Sequence, residues 1–324
     1  MDPLTLKSFE KINYTIRPSK QVERKLFIET FHRLRKIGYD ISEYTYVGFG
    51  SIYYVDFILF HKYLYIDDMI CLEKEEIERR MKFNRPYDFI TLIMKPFSEV
   101  IPSLDRNKKY IVWLDYDYGL NKDVMEDIGN LIGILKSGCI LIVTVNAEPK
   151  IHENPIMNES LTRDQREEFL VSHYNEAFQN HVREIRKSDI TENELPRLFA
   201  KIINSKIQSS LVSRVDDKYY QLFNFVYADG AQMLTTGGII DLKAKENPLK
   251  DCGLLSQEYI QPGLEPIRIS VPALTIREKQ WLDSQNHLKL KKGELELAFE
   301  LEDELLTNYL KYYRHYPTFH EVFI

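Results

Sequence analysis

A strand-like run that stops at two glycines constrains this chain most. Tyr44, Thr45, Tyr46 and Val47 are aromatic and β-branched, which suits an extended strand, and Gly48 and Gly50 follow one residue apart. Glycine at such a place lets the backbone turn tightly and come close to a ligand. The next apolar run, Met69 to Leu72, ends in Glu73, close to the ~20-residue spacing at which an acid reaches a ribose hydroxyl in βαβ nucleotide sites. Together the two features read as the adenosine-binding first half of an α/β sheet. Alone, a glycine pair after a strand is also what a plain tight turn looks like. A third glycine is missing, because the position three after Gly50 is Tyr53, which argues against a pyrophosphate seated on the following helix. A cofactor without phosphates does not need that contact.

The rest of the chain alternates between strand and helix patterns. Ser19 to Gly38 carries Val22, Leu26, Phe27, Phe31, Leu34 and Ile37 at helical spacing, with Ser19 as N-cap and Gly38 as stop. Ahead of it, Asn13 to Pro18 reads as an extended approach. Arg17, Lys20, Gln21 and Arg24 crowd the helix start, where a solvated helix end is the plainer expectation. Ile52 to Leu64 reads as the first crossover helix, with Asp56 facing either a cofactor or the helix dipole and His61 packed rather than ligating. Glu73 to Lys82 supplies a second helix and Phe89 to Ile93 a third strand. Lys95 to Ser98 then lies where strand ends line a ligand crevice, as an adenine contact or a structural turn.

The second strong signal is Tyr110 to Leu114, an apolar run that leads into Asp115, Tyr116, Asp117, Tyr118 and Gly119. A buried parallel strand would deliver these acids and phenols into the crevice; the alternative has Asp115 or Asp117 capping a helix that begins near Asn121. Asp123 to Lys136 is the next amphipathic helix and Cys139 to Val145 a fully apolar fifth strand, after which Asn146 and Glu148 touch substrate or turn the chain. Residues 150–217 are polar and helical, an insertion. Tyr219 to Tyr227 and Ala231 to Ile240, joined at Asp229-Gly230, predict a hairpin that gives the parallel sheet an antiparallel ending. We expect a main domain over 1–242 and a small, mostly helical appendage over 243–324. The appendage holds a short strand candidate at Ile267 to Val271, a helix opened by Thr275 and Glu278 whose Trp281 and Leu282 dock on the main domain, and a second helix from Gly293 to Tyr313. Tyr309, Tyr312, Tyr313 and Tyr316 read as an aromatic docking stripe, with base stacking as the alternative.

Composition excludes little. The 324 residues are 44% hydrophobic and 28% charged, enough for a sizeable core, and the formal charge of -6 gives no global reason to bind nucleic acid. Cys71, Cys139 and Cys252 form no CxxC pair, which favours a reducing compartment. No apolar run has the length of a signal-peptide core or approaches the ~18 residues of a membrane span. The expectation is a cytoplasmic protein without a membrane partner.

The sequence resembles the class I S-adenosylmethionine-dependent methyltransferases over residues of about 40 to 240. VGFGS matches that family's glycine-rich motif, CLE its acidic motif and WLDYDYG its strand-four motif, and FVYADGAQMLTTGG matches its closing hairpin. NYTIRPSKQVERK, with the overall layout, is also similar to a group of poorly characterised bacterial O-methyltransferases. The resemblance implies an α/β, Rossmann-like, doubly wound and mainly parallel seven-stranded sheet that ends in an antiparallel hairpin, with S-adenosylmethionine as cofactor. It places Gly48 and Gly50 at the cofactor's amino-acid end, Glu73 on the ribose, Pro96 and Phe97 beside the adenine, and Asp115 near the methionine moiety or the acceptor. Phe49, Ser51, Lys74 and Tyr116 complete the expected cofactor-binding set.

Methyl transfer from a sulfonium is an in-line displacement, so the protein mainly aligns the acceptor and excludes water. Asp115 or Asp117 would serve as base where the acceptor must lose a proton, with Tyr118 orienting it. The sequence departs from the family at the third glycine position, which holds Ile52, and DYDY lacks the signature of amino-methylating nucleic-acid enzymes. The acceptor therefore stays open among a small molecule, a protein and a nucleic acid. Two other readings stay beside this one. One is a fold kept as a partner-binding module, through the insertion or the appendage; the other is a divalent-metal site at Asp115, Asp117 and Glu148.

Overall fold

The computed structural model describes residues 17–74, 76–151 and 154–317. The expectations for residues 1–16, among them the extended approach at Asn13 to Ile16 and the character of the leading segment, lie outside the described residues.

Eight strands form one sheet. They are β1 (Thr45–Phe49), β2 (Asp68–Leu72), β3 (Ile90–Ile93), β4 (Tyr110–Gly119), β5 (Cys139–Asn146), β6 (Asp217–Ala228), β7 (Gln232–Leu242) and β8 (Ile267–Ile269), in the order β3-β2-β1-β4-β5-β7-β6-β8. The first five strands pair in parallel, and β7 runs antiparallel to both β5 and β6. Gly230 turns the hairpin with φ +116°, a conformation that glycine adopts without strain. The doubly wound sheet with an antiparallel ending is thus present, with one strand more than the resemblance implied. The extra strand is the Ile267 segment, which pairs in parallel with the outer edge of β6. Over Phe225 to Tyr227 it covers backbone donors and acceptors that an edge strand otherwise leaves open.

Several helix boundaries differ from their patterns. Helix α1 (Pro18–Leu34) begins at proline, with Arg17 rather than Ser19 at the cap position. Helix α2 (Val55–Leu64) starts three residues later than its pattern, because Tyr54 ahead of it takes φ 48° and breaks the helical path. Helix α3 spans Glu78–Asn84, so Glu73 is left in the loop after β2 instead of opening a helix. The short helix α4 (Phe97–Val100) follows β3, and α5 (Lys122–Ile132) follows β4. Asn121 Oδ1 accepts from the Val124 amide and caps α5, which leaves Asp115 and Asp117 without that task. β4 runs on through Gly119, with its register to β5 shifted between Asp115 and Gly119.

Between β5 and β6 lie α6 (Pro155–Ser160), α7 (Arg163–Phe178) and α8 (Leu195–Ser210). Leu170, Tyr174, Phe178 and Phe199 bury themselves in the core on one face of the sheet. The other face is covered by α1 and α2, where Phe27 packs edge-on against Trp113 with ring centroids 5.0 Å apart and lies 4.6 Å from Phe223. Truncating a buried phenylalanine of this kind costs about 3–5 kcal/mol.

After β7 come α9 (Glu246–Asp251), α10 (Ile276–Ser284), α11 (His287–Lys291) and α12 (Asp303–Tyr312). Thr275 and Glu278 form the expected capping box on α10. Leu282 and Trp281 do not dock on the main sheet, however. Leu282 joins Leu290 and Tyr309 in a separate small core, and Trp281 packs edge-on against Phe299. The helix expected from Gly293 is confined to α12, since residues 293–302 form no helix. Tyr309 and Tyr312 are buried, and the Tyr312 hydroxyl donates to the Arg268 carbonyl of β8, as a docking stripe requires.

Candidate active site

A cavity of about 420 Å³ opens at the C-terminal ends of β1, β2 and β4, where open α/β sheets place their ligands. Phe49, Gly50, Ser51, Glu73, Lys74, Pro96, Phe97, Asp115, Tyr116, Asp117 and Tyr118 all line it. Gly48 does not. A Cβ at Gly48 would lie 2.4 Å from the Tyr46 hydroxyl, and one at Gly50 would lie 2.5 Å from Cys71 Sγ and 2.7 Å from Met81 Cε. Both glycines are therefore required by close packing behind the strand, and neither has a positive φ. The Gly50 amide donates to the Leu72 carbonyl at 2.6 Å and ties β1 to the end of β2, beside Glu73.

One wall is aromatic. The Phe49 ring meets Tyr116 at 5.0 Å and Phe97 at 6.0 Å, both edge-on, and Tyr116 lies 5.2 Å from Tyr118. Phe49 points to this wall because side chains alternate along β1, so that Val47 and Phe49 share one face and Tyr46 takes the other. The Tyr116 hydroxyl donates to Asp127 Oδ2 at 2.7 Å. Burial pushes the Asp127 carboxyl up, against the pull of that hydrogen bond. Burial also raises the Tyr118 phenol, so it stays neutral and able to donate. Lys74 Nζ stands 5.3 Å from the Tyr118 ring centroid.

The opposite wall comes from α1 and α2, and sequence reasoning missed it. Arg24 is only 2% exposed, lines the cavity and pairs with Asp56 in the first turn of α2. Asp56 thus faces both the cavity and the helix dipole. Arg24 Nη1 is buried without a hydrogen-bond partner, and such an unmet donor is costly unless a ligand satisfies it. Lys20, one turn earlier, is wholly buried and bonds to Asp115. The solvated helix end is therefore a correction: Arg17, Lys20, Gln21 and Arg24 are all buried. The signal was present, since the four polar side chains crowd the turn that meets the strand ends.

Other weighed residues fall outside the cavity. Asn146 Oδ1 accepts from the Glu148 amide at 2.9 Å, a local chain turn. His61 Nδ1 lies 2.9 Å from the Ile66 carbonyl, with its ring against Tyr87 and Phe89. Among the described residues, no group of three or more His, Cys, Asp and Glu side chains could hold a metal ion. None of the described helices is long and apolar enough to cross a membrane.

A family model described as "Putative O-methyltransferase" matches residues 12–324. The chain belongs to that methyltransferase family. The family match bears out the reading of an S-adenosylmethionine-dependent methyltransferase whose acceptor is undetermined. No curated protein matches this methyltransferase significantly.

Among solved structures, the methyltransferase is similar to the complex of Trm1 from Pyrococcus horikoshii with S-adenosyl-L-methionine, at 12% identity over 75% of this chain with a TM-score of 0.45. It spans 60% of the Trm1 chain. It is also similar to M. jannaschii TYW2 in complex with AdoMet, at 14% identity over 72% of this chain and 79% of that one, with a TM-score of 0.36. The complex of the N-methyltransferase NodS from Bradyrhizobium japonicum with S-adenosyl-L-homocysteine is 9% identical over 67% of this chain and 87% of that one, at 0.36. At scores this low, none of these likenesses bears on substrate or mechanism.

Proposed function

We propose that the cavity is the methyl-donor site, with S-adenosylmethionine lying across the ends of β1, β2 and β4. The observation that carries this reading is the meeting of Glu73, the Phe49–Phe97–Tyr116 wall and the Arg24–Asp56 pair around one volume of about 420 Å³, a size suited to a small ligand. Glu73 would take the ribose hydroxyls, with Lys74 beside it, and Pro96 and Phe97 would border the adenine. Gly48 would act only by letting β1 pack, while Gly50 and Ser51 approach the amino-acid end. The unmet Arg24 Nη1 fits the carboxylate of that end.

When bound, the donor supplies an activated methyl group on a sulfonium. The chain's own work is alignment and exclusion of water. The aromatic wall dries one side of the cavity, and Asp115 and Asp117 offer carboxylates to an acceptor proton, with the neutral Tyr118 phenol placed to orient the acceptor. Asp117, Asp123 and Glu126 are exposed and line the cavity, so they sit at its mouth. Lys74 and Lys95 are exposed and line the cavity too, so its mouth is mixed in charge and leaves the acceptor open among a small molecule, a protein side chain and a nucleic acid. The free cysteines suit a reducing cytoplasm, and we place the division between main domain and appendage after β8 rather than near residue 242, because β8 pairs with β6 and Leu249, Leu254 and Tyr259 join the core under the main sheet.

The test is methyl transfer from isotope-labelled S-adenosylmethionine into native cell extract, followed by mass spectrometry of the labelled fraction. Labelled product that Glu73→Ala abolishes supports the reading. Donor binding without transfer to any fraction would favour the partner-binding alternative.

A further inference from the structure

Lys20 sits where packing alone does not ask for a charge. Its side chain has no exposed surface, yet Nζ lies 2.9 Å from Asp115 Oδ1, 2.9 Å from the Tyr227 hydroxyl and 3.0 Å from Glu23 Oε2, and 4.2 Å from the centroid of the Trp113 ring. Two of the ammonium's three donors are met by hydrogen bonds to Asp115 and Tyr227, and Glu23 adds an ion pair without hydrogen-bond geometry. Burial works to lower the Lys20 pKa, but Asp115, then Glu23, outweigh it and hold the group well above the ordinary lysine value. Replacing a buried ion pair by apolar side chains is often neutral for stability, so stability does not by itself explain a lysine here.

What distinguishes the arrangement is its direction. Asp115 lines the cavity and Lys20 does not. Only one Asp115 oxygen is engaged, and Oδ2 makes no hydrogen bond among the described residues.

We propose that Lys20 is a positioning residue of the active site: it clamps one oxygen of Asp115 from behind and leaves the other for the ammonium group at the donor's amino-acid end. This inference rests on the donor reading of the cavity. The charged and titratable groups around the Lys20–Asp115 pair are Glu23 from α1, Arg17 at the cap of α1, Tyr46 from β1 and Tyr227 from β6, with the Arg24–Asp56 pair beside them. Burial raises both phenols, which remain neutral. Without Lys20, Glu23 and Asp115 would face each other with no cation between them, and two carboxylates so placed hold one proton between them. That proton would compete with the donor's ammonium group.

Calorimetric titration with S-adenosylhomocysteine between about pH 6 and 8 tests this. Wild-type protein is expected to bind with little pH dependence; absence of binding overturns the donor reading and this inference with it. Given wild-type binding, Lys20→Met is expected to weaken affinity about tenfold or more, with the loss growing as pH falls, and Lys20→Arg to restore most of the pH independence. Asp115→Asn should weaken affinity similarly, and the double variant should bind no worse than the weaker single variant, because one residue acts through the other. Wild-type affinity in Lys20→Met, or losses that multiply in the double variant, would overturn the inference while leaving the donor reading intact. Should Lys20→Met not fold, Lys20→Gln, which keeps a donor but removes the charge, replaces it in the cycle against Asp115→Asn and is read by the same criterion.

Discussion

Asp229, in the hairpin turn between β6 and β7, accepts hydrogen bonds from the backbone amides of Ser19 and Lys20, at 3.1 and 2.8 Å. The carboxylate meets the first turn of α1, whose amides have no partner within the helix, and so anchors the turn that carries Lys20 and Arg24. The Asp-Gly pair serves as more than a bend. Asp229→Ala is expected to lower stability by about 1 kcal/mol and to weaken donor binding with it, whereas Asp229→Asn retains most of both. Urea unfolding and donor titration of the two variants check this; unchanged binding in a destabilised Asp229→Ala would uncouple the cap from the site.

Glu73 lies at the end of β2, its strand held by the Glu73 amide donating to the Ile93 carbonyl at 3.1 Å. A hydrogen bond to a charged group contributes about 1.5–3 kcal/mol. Glu73→Ala is therefore expected to cost at least about tenfold in affinity for S-adenosylhomocysteine. 2′-Deoxy and 3′-deoxy analogues should lose less against the variant than against wild type.

Gly50→Ala would drive a methyl group into Cys71 Sγ and Met81 Cε. Overpacking of this kind costs about 1–3 kcal/mol, and Cys71→Ala in the same chain should recover part of it. Thermal unfolding of the single and double variants measures the relief; an unaffected Gly50→Ala would show that the contact behind β1 yields freely.

His315 joins the C-terminal segment to α1 through Glu29 Oε2, 2.9 Å from Nε2. Burial outweighs the carboxylate and lowers the His315 pKa below its ordinary value. The sign follows from linkage: the neutral ring is favoured on folding, so its contribution is present above about pH 6.5 and is lost as pH falls through the folded value. Stability measured from about pH 7 down to 5 should decline, and His315→Gln should flatten that decline. A slope unchanged by the substitution would assign it to other groups.

The sheet was legible because its strands are apolar runs ended by glycine, acid or turn residues, and Cys139 to Asn146 admits no other use in a chain of this length. The eighth strand was visible only as a short candidate, since three paired residues carry no periodicity. The cavity's β-strand residues were legible for the same reason as the strands. Its second wall was not: Arg24 and Lys20 stand in a charge-rich helix start, and only the fold reveals that this turn lies under the strand ends. Trp281 pointed toward the main sheet as an apolar side chain in need of a surface, but the small core around Leu282, Leu290 and Tyr309 supplies that surface from distant, individually weak apolar positions. The reason for the glycines also came from packing, because no sequence signal tells a Cβ clash with Cys71 from a close approach to ligand.

The most direct measurement is a crystal structure of the protein grown with S-adenosylhomocysteine. The ligand is expected in the cavity, with its ribose hydroxyls within hydrogen-bond distance of Glu73, its adenine against Phe97 and its carboxylate at Arg24. A ligand bound elsewhere, or Glu73 turned to solvent with protein side chains filling the space in front of Gly50, would contradict that placement.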